Sequence, residues 1–327
     1  MRKAFRQVSR VFVLSAALLG TLAAQAANPA HRDLELGRAN SALESLNAAL
    51  VANPNDAEAH NLRCRVYYQE QEWDKAISDC EAAVKITPGD SNFHLWLGRA
   101  CGEKAAHASL MSAYQLARRV HNEFEQAVQL DPRNADALAD LGEFDVMAPS
   151  MVGGGSARAV AVLQQLRGVN PAAALTLQAR MAESKKDYPG AESNLRAAIA
   201  QSSDPANAWM DLASFYRRRG RLDEMVSAAH SGAALDRRHG AALVDGATNL
   251  TLAGREPQTA VVWLRQYLNS GAQSELAPSF VVRAQLAQLL QQQGDDAGAQ
   301  QELALVHSLA SGYRIPSASA TSRAAGL

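Results

Sequence analysis

The sequence predicts an all-α chain of stacked helix–turn–helix pairs, an α-solenoid, and three observations carry that prediction. The 34 residues Ala57–Asp90, AEAHNLRCRVYYQEQEWDKAISDCEAAVKITPGD, read as two short amphipathic helices joined by a turn. The same skeleton of small and large apolar positions returns along the chain from Leu34 to about Leu309. A unit of this length cannot bury its apolar face alone, so neighbouring units must stack into one continuous core.

The first residues stand outside that pattern. Arg2, Lys3, Arg6 and Arg10 precede an apolar run from Val11 to Leu22 and the small-x-small exit Ala24-Gln25-Ala26. A positive start, a short apolar core and such an exit describe a secretory signal peptide over residues 1–26. The run is short for a membrane span, and an uncleaved anchor is the other reading. No cysteine follows it to carry a lipid. The expectation is an exported chain, periplasmic or secreted, with no span in its mature form.

The solenoid then occupies residues 27–310. Ala42, Leu46, Ala49 and Pro54 read as a second helix whose partner is missing or irregular. In the Ala57 unit, Leu62, Cys64 and Tyr67 form the inner face of the first helix, and Ala76, Cys80, Ala83 and Val84 that of the second. Pro88 closes it, because proline cannot continue a helix. Leu97 and Gly98 open the next unit, closed by Phe124, Ala127 and Pro132. Leu138, Leu141 and Gly142 open another, closed by Ala159, Leu163 and Pro171. Leu175, Ala179, Ala191, Leu195 and Ala198 make a looser copy. Trp209, Leu212, Ala213, Tyr216, Gly220 and Gly232 make a clean one, with Met225 where alanine is usual. Two degenerate copies follow, around Leu243, Ala260 and Leu264, then around Leu286, Ala299 and Leu303. Residues 311–327, rich in Ser, Ala and Arg, lack apolar periodicity and read as a disordered tail.

This pattern resembles the tetratricopeptide repeat family: a bulky residue, Leu-Gly/Ala and Tyr in the first helix, then Ala, a large residue and Pro. The resemblance implies a right-handed superhelix whose concave side binds a protein or peptide. It also places that concave wall on Asn61, Arg65, Tyr68, Gln69, Leu95, Arg99, Ala139, Glu143, Met210, Ser214, Arg217 and Arg218, and further on at Ala284, Gln288, Gln291 and Gln292. Arg65 and Arg99 hold equivalent positions in adjacent units, with Asn61 beside them, and could fork onto a carboxylate. The plainer reading is solvated charge paired with Glu58 or Glu103. The family's carboxylate clamp needs cations or amides where this chain has Leu95, Ala139 and Glu143. The Arg217–Arg221 run reads as a hydrated helix end.

Two consecutive units, 91–134 and 135–171, are enlarged. Leu110, Ala113, Ala117, Val120, Phe124 and Ala127 step by threes and fours, which predicts one long amphipathic helix from about Ala105 to Leu130. The next unit carries VMAPSMVGGGSAR, whose Pro149 and Gly153–Gly155 demand a loop. Both insertions fall at the turn between first and second helices, so they should meet along one edge. Leu110, Met111 and Tyr114 are expected near Met147, Met151 and Val152. Either the loop covers the helix, or a Met-rich patch stays open and grips a partner. A long helix followed by such a loop is similar to a subset of exported bacterial tetratricopeptide proteins.

Composition narrows the chemistry. The chain has 32 Lys and Arg against 33 Asp and Glu, and loss of residues 1–26 would leave 28 against 33. A mildly acidic chain has no electrostatic case for nucleic acid. The Gly-Gly-Gly run is not a phosphate loop, since no strand precedes it and no Lys-Ser/Thr follows. No Gly-x-Ser-x-Gly elbow, His-Glu-x-x-His helix or Cys-x-x-Cys pair appears. His60 and His94 recur at equivalent positions, and His107 and His121 are spaced beyond one metal's reach. We therefore expect no catalysis, cofactor or metal. Three cysteines in an oxidising compartment leave a Cys64–Cys80 bridge, a Cys80–Cys101 bridge or free core thiols all open.

Overall fold

A computed structural model describes residues 29–315; the expected signal peptide and most of the expected tail lie outside the described residues. Helix α1 covers 29–35. It is followed by α2 (Ala39–Ala52), α3 (Ala57–Gln69), α4 (Trp73–Ile86), α5 (Ser91–Ala106), α6 (Leu110–Leu130) and α7 (Ala135–Met147). A 3-10 turn (Ser150–Val152) precedes α8 (Ser156–Val169), α9 (Pro171–Ser184), α10 (Tyr188–Gln201) and α11 (Pro205–Arg218). The chain ends in α12 (Leu222–Leu235), α13 (Ala241–Leu252), α14 (Pro257–Leu268), α15 (Ser279–Gln292) and α16 (Asp296–Leu309). These are the helix pairs of an α-solenoid, and the irregular first unit gains its missing partner in α1. Among the described residues, no helix is long and apolar enough to cross a membrane.

Local chemistry sets each boundary. Asp56, Asp90, Asn134, Asn170, Asp187 and Asp295 cap helix starts by accepting a backbone N–H three residues on. Such caps satisfy donors that the first turn leaves unpaired. Six hairpins turn on one left-handed residue placed two positions after the first helix: Gly37, Gln71, Lys186, Gly220, Gly254 and Gly294. The two enlarged units are the ones that lack it. There the chain leaves the helix through His107–Ser109 and through the 148–155 loop instead. The long helix accordingly starts at Leu110, five residues later than its apolar stripe suggested, because α5 runs on to Ala106.

The fourth residue of each regular second helix (Ala42, Ala76, Ala159, Ala191, Met225, Ala260 and Ala299) is buried at the seam with its partner. Small side chains allow the axes to approach, and glycine is required where even a methyl would not fit. A Cβ on Gly98 would lie 2.5 Å from the Phe124 ring. Odd-numbered helices touch their odd neighbours, α3 with α5, α5 with α7, α7 with α9 and α11 with α13. They therefore line the inside of the curve. Cys64 of α3 and Cys80 of α4 are bonded, with Cα atoms 5.3 Å apart. Cys101 is free and buried, and burial pushes its thiol up to about 11.

Nothing in the repeat pattern indicated that the two ends meet, yet they do. Phe280 of α15 is fully buried in one cluster with Leu34, Leu62 and Val66 from the other end of the chain. Ser279 Oγ donates to the Leu36 carbonyl at 2.6 Å, and Asn40 Nδ2 donates to the Ser308 carbonyl at 2.9 Å. The first residues of the expected tail take part: the Ser311 N–H donates to Asn40 Oδ1 at 3.0 Å, and the Tyr313 ring packs edge-on against Phe280. The superhelix thus closes into a ring, and residues 311–313 belong to its seam because Phe280 leaves an apolar face for Tyr313 to cover.

Gly37 makes the seam testable. Gly37 and Gly254 both have φ near +63°, but a Cβ on Gly37 would sit 2.3 Å from the Ser279 nitrogen while one on Gly254 would meet nothing within 4 Å. Gly254→Ala should cost only the left-handed strain, about 1–2 kcal/mol. Gly37→Ala should cost at least about 2 kcal/mol more in urea denaturation, the range of a steric insult in a packed contact. Equal losses would show that the seam contributes nothing to stability.

Candidate functional site

The inner wall brings the expected groove residues together and occupies them. Arg65 and Arg99 flank Trp96, their guanidinium carbons 5.1 and 4.8 Å from its ring centre. Arg65 Nε donates to Glu275 Oε1 at 2.8 Å and Nη2 to the other oxygen of the same carboxylate. Arg99 Nε donates to Asp140 Oδ2 at 2.6 Å. Neither pairing is with Glu58 or Glu103. Tyr68 packs edge-on against Trp73 and Trp96, with its hydroxyl toward Glu103 at 3.4 Å, and burial pushes its phenol well up. Glu143 stands 3.8 Å from Arg180, Arg218 forks onto Glu183 at 3.1 and 2.9 Å, and Arg217 donates to Asn249 Oδ1 at 3.1 Å.

Several expected wall positions are not open at all. Asn61 and Gln69 are 2% and 7% exposed, and Leu95, Met210 and Ala284 belong to the core. Gln69 lies beneath the link before α15, to whose Glu275 carbonyl its amide donates, and the three apolar residues face the core. What remains is a wall whose charges neutralise one another. Burial raises the carboxyls of Asp140 and Asp211 despite their arginine neighbours, and the surrounding protein with the Asp211 carboxylate pushes Asp245 up to about 6. A cleft of about 650 Å³ opens between α7, α9 and α11, lined by Glu143, Thr176, Arg180, Asn207 and Asp211 among others.

Glu275, Trp96 and Asp140 were not foreseen. A signal existed for Glu275: the equivalent residues Gly254 and Gly294 stand 40 positions apart, six more than one 34-residue repeat. The histidines turn out to be repeated staples. His60 Nδ1 meets Asp79 at 2.9 Å and Nε2 the Pro54 carbonyl at 3.1 Å, while His94 meets Glu123 at 2.7 Å and the Pro88 carbonyl at 3.1 Å. With both ring nitrogens engaged, neither ring offers a metal a lone pair. Among the described residues, no group of His, Cys, Asp and Glu is arranged to hold a metal ion.

The inserted edge behaves differently. Leu110, Met111, Met147 and Met151 are 90, 71, 66 and 70% exposed. The two insertions do meet, but only at the base of the patch: the Tyr114 hydroxyl donates toward the Met151 carbonyl at 3.5 Å, and Val152 is buried. The loop therefore covers the foot of α6 and leaves its tip open. Beneath the loop, Gly153 lies on the His121 ring, where a Cβ would be 2.5 Å from the ring carbon. Arg158 Nη1 donates to His121 Nε2 at 3.2 Å, and that nitrogen is 3.9 Å from the buried Asp145 carboxylate, whose Oδ1 has no hydrogen-bond partner.

Burial raises the Asp145 carboxyl to about 6, against the pull of Arg158. A folded-state value above the unfolded one, about 3.9, gives stability that is full below 3.9 and lost as pH rises through 6. Asp145→Asn should abolish that loss, leaving the variant level with wild type near pH 4 and about 1–3 kcal/mol more stable at pH 8. Urea denaturation at both pH values reads the difference. A gap that does not change with pH would remove Asp145 from the account; Asp245 is present in both proteins and cancels.

Comparison with known proteins places this architecture. The model of the tetratricopeptide repeat matches residues 29–91, 151–204 and 179–229. No curated protein matches the chain. Among solved structures, yeast Tom70 superposes with a TM-score of 0.53 at 15% identity, covering 88% of this chain and 58% of that one. A thermophilic TPR protein from Thermus thermophilus gives 0.48 at 18% identity, over 62% of this chain and 97% of that one. A tetratricopeptide repeat protein from Parabacteroides merdae gives 0.46 at 14%, over 81% and 98%. With paired helices at the family's period, its Leu-Gly and Ala seam positions and a matching family model, the chain belongs to the tetratricopeptide repeat family.

Proposed function

We propose that this chain is an exported, non-catalytic scaffold that grips a protein partner on its inserted edge. The observation that carries this reading is the exposure of Leu110, Met111, Met147 and Met151 on two insertions that touch through Tyr114 and Met151. Soluble chains rarely leave such a group of large apolar side chains open without a partner to cover it. Methionine suits the task because its unbranched, polarisable side chain moulds to irregular surfaces. Both segments are also free of Asp, Glu, Lys and Arg, residues 105–117 and 146–157 alike, so the segments themselves bring no charge to desolvate. Export is supported by the signal-like start and by the Cys64–Cys80 bond, which suits an oxidising compartment.

Leu110→Asp with Met151→Asp tests the edge. Both side chains are exposed, so the fold should be kept within about 0.5 kcal/mol. Capture of envelope partners on immobilised protein should fall at least about 10-fold, and light scattering should show any wild-type self-association lost. Unchanged capture together with unchanged mass would end this reading.

The inner wall supports a second reading, a bound extended peptide, because the 650 Å³ cleft falls in the range of ligand sites. Asn207 lies exposed at its lip. Asn207→Trp should block the cleft and release a peptide-like partner while leaving the edge partner bound. Retention of every captured partner by this variant would leave the cleft without a role.

A further inference from the structure

The link between α14 and α15, residues 269–278, is ten residues long, where the other links between units have one to five. Its middle lies across the inner face of α3. Arg65 takes the Glu275 carboxylate in a two-pronged ion pair, and Gln69 Nε2 donates to the Glu275 backbone carbonyl at 3.2 Å. Holding a side chain and the main chain of one residue together is how a groove holds a peptide. The resident segment fills this site poorly. Leu276 is 82% exposed and stands between two clefts of about 390 and 320 Å³, the smaller walled by Tyr68, Trp73 and Trp96.

Two buried amide atoms show what is missing. Asn61, which lines the larger cleft, has no acceptor for Nδ2, and Gln69, which lines the smaller, has no donor for Oε1. Asn61, Arg65 and Gln69 follow one another at four-residue steps along α3, so the stripe spans about 12 Å. About four residues of extended chain cover that length. Such a chain supplies a carbonyl at one end, an N–H at the other and a carboxylate between them. A following aliphatic side chain would enter the aromatic cleft.

We propose that the Asn61–Arg65–Gln69 stripe is a binding site for an extended peptide carrying an acidic residue followed by a large aliphatic one, and that Glu275–Leu276 occupies it as a tethered surrogate. This rests on the reading of the inner wall as a peptide-binding face and names the peptide's chemistry. The surrogate can leave without the loop collapsing. Tyr267 Oη donates to the Ala277 carbonyl at 2.6 Å and accepts from the Ser274 N–H at 2.9 Å, so the loop is pinned independently of Glu275.

The probe is a labelled, end-blocked peptide of sequence Gln-Ser-Glu-Leu-Ala-Pro, read by fluorescence anisotropy on the full chain. Glu275→Ala should bind it at least about 10-fold tighter than wild type, because a tethered competitor acts at millimolar effective concentration. Replacing the peptide's Glu by Gln should cost that variant about 10-fold, the loss of one charged partner. A second variant, Arg65→Glu with Glu275→Ala, reverses the charge of the emptied site; it should reject the acidic peptide and accept one with Lys in place of Glu. Equal binding by wild type and Glu275→Ala overturns the proposal, as does indifference to the peptide's charge. So does absence of binding in either variant when its urea denaturation curve is native. Partner release by Asn207→Trp reads a different cleft, so the broader inner-wall reading can stand when this one falls.

Discussion

The structure depends on the seam at which Phe280, Ser279 and Tyr313 meet Leu34, Gly37 and Asn40. A solenoid is a row of units that touch only their neighbours, so its two end faces are ordinarily apolar and must be capped. Here each end caps the other, and a fully buried phenylalanine replaces what would be two wet faces. Closure also changes how the parts share stability. In an open row the terminal unit can fray without disturbing the middle. In a ring every unit has two neighbours, and local opening anywhere must break two interfaces. The seam therefore holds the curvature that the small residues between helices only permit.

That curvature explains the state of the inner wall. First helices packed on first helices leave little room between their inward side chains, so charges placed there must find partners across the unit boundary. Arg99 of α5 reaches Asp140 of α7, Arg218 of α11 reaches Glu183 of α9, and Arg65 reaches across the seam to Glu275. Partly buried pairs of this kind set register more than they add stability, because desolvation offsets most of their attraction. The consequence for binding is direct. A partner that docks on this wall must bring charges in the same order as the residues it displaces, and polar competition supplies selectivity before it supplies affinity.

The helix pairs were legible because small residues recur at a fixed step and proline or a capping Asp or Asn punctuates each unit. Met225 in an alanine position did not obscure the pattern, since register depends on neighbours rather than on one side chain. The enlarged units were legible for the same reason: counting residues between Gly98 and Phe124, or between Asp145 and Ala159, reveals an excess. The Cys64–Cys80 pairing could be narrowed but not chosen, because helix-facing cysteines differ by a fraction of a turn. The ring was not legible. Closure is a property of summed curvature, and no residue states it locally; only the long gap before α15 hinted that Glu275 lay on something. The partners of Arg65 and Arg99 were missed with it, since sequence proximity favours Glu58 and Glu103 while the fold brings Glu275 and Asp140.

The inserted edge is the part of the molecule the ring does not need. Six hairpins turn through one left-handed residue, and that turn is as tight as the helix pair allows. Replacing it in two consecutive units with a longer helix and a glycine loop lengthens the chain away from the end-to-end seam. Of its large apolar side chains, Leu110, Met111, Met147 and Met151 stay outside the core. Val152, His121 and Asp145 anchor the loop beneath, while Leu110, Met111, Met147 and Met151 above them gain nothing from this chain. The anchor itself is incompletely paired, with one buried carboxylate oxygen of Asp145 left without a hydrogen bond. A fold that merely tolerated an insertion would be expected to fill such a position with an apolar residue. Retaining a buried, incompletely paired acid beneath an exposed apolar surface costs stability that an apolar side chain there would not.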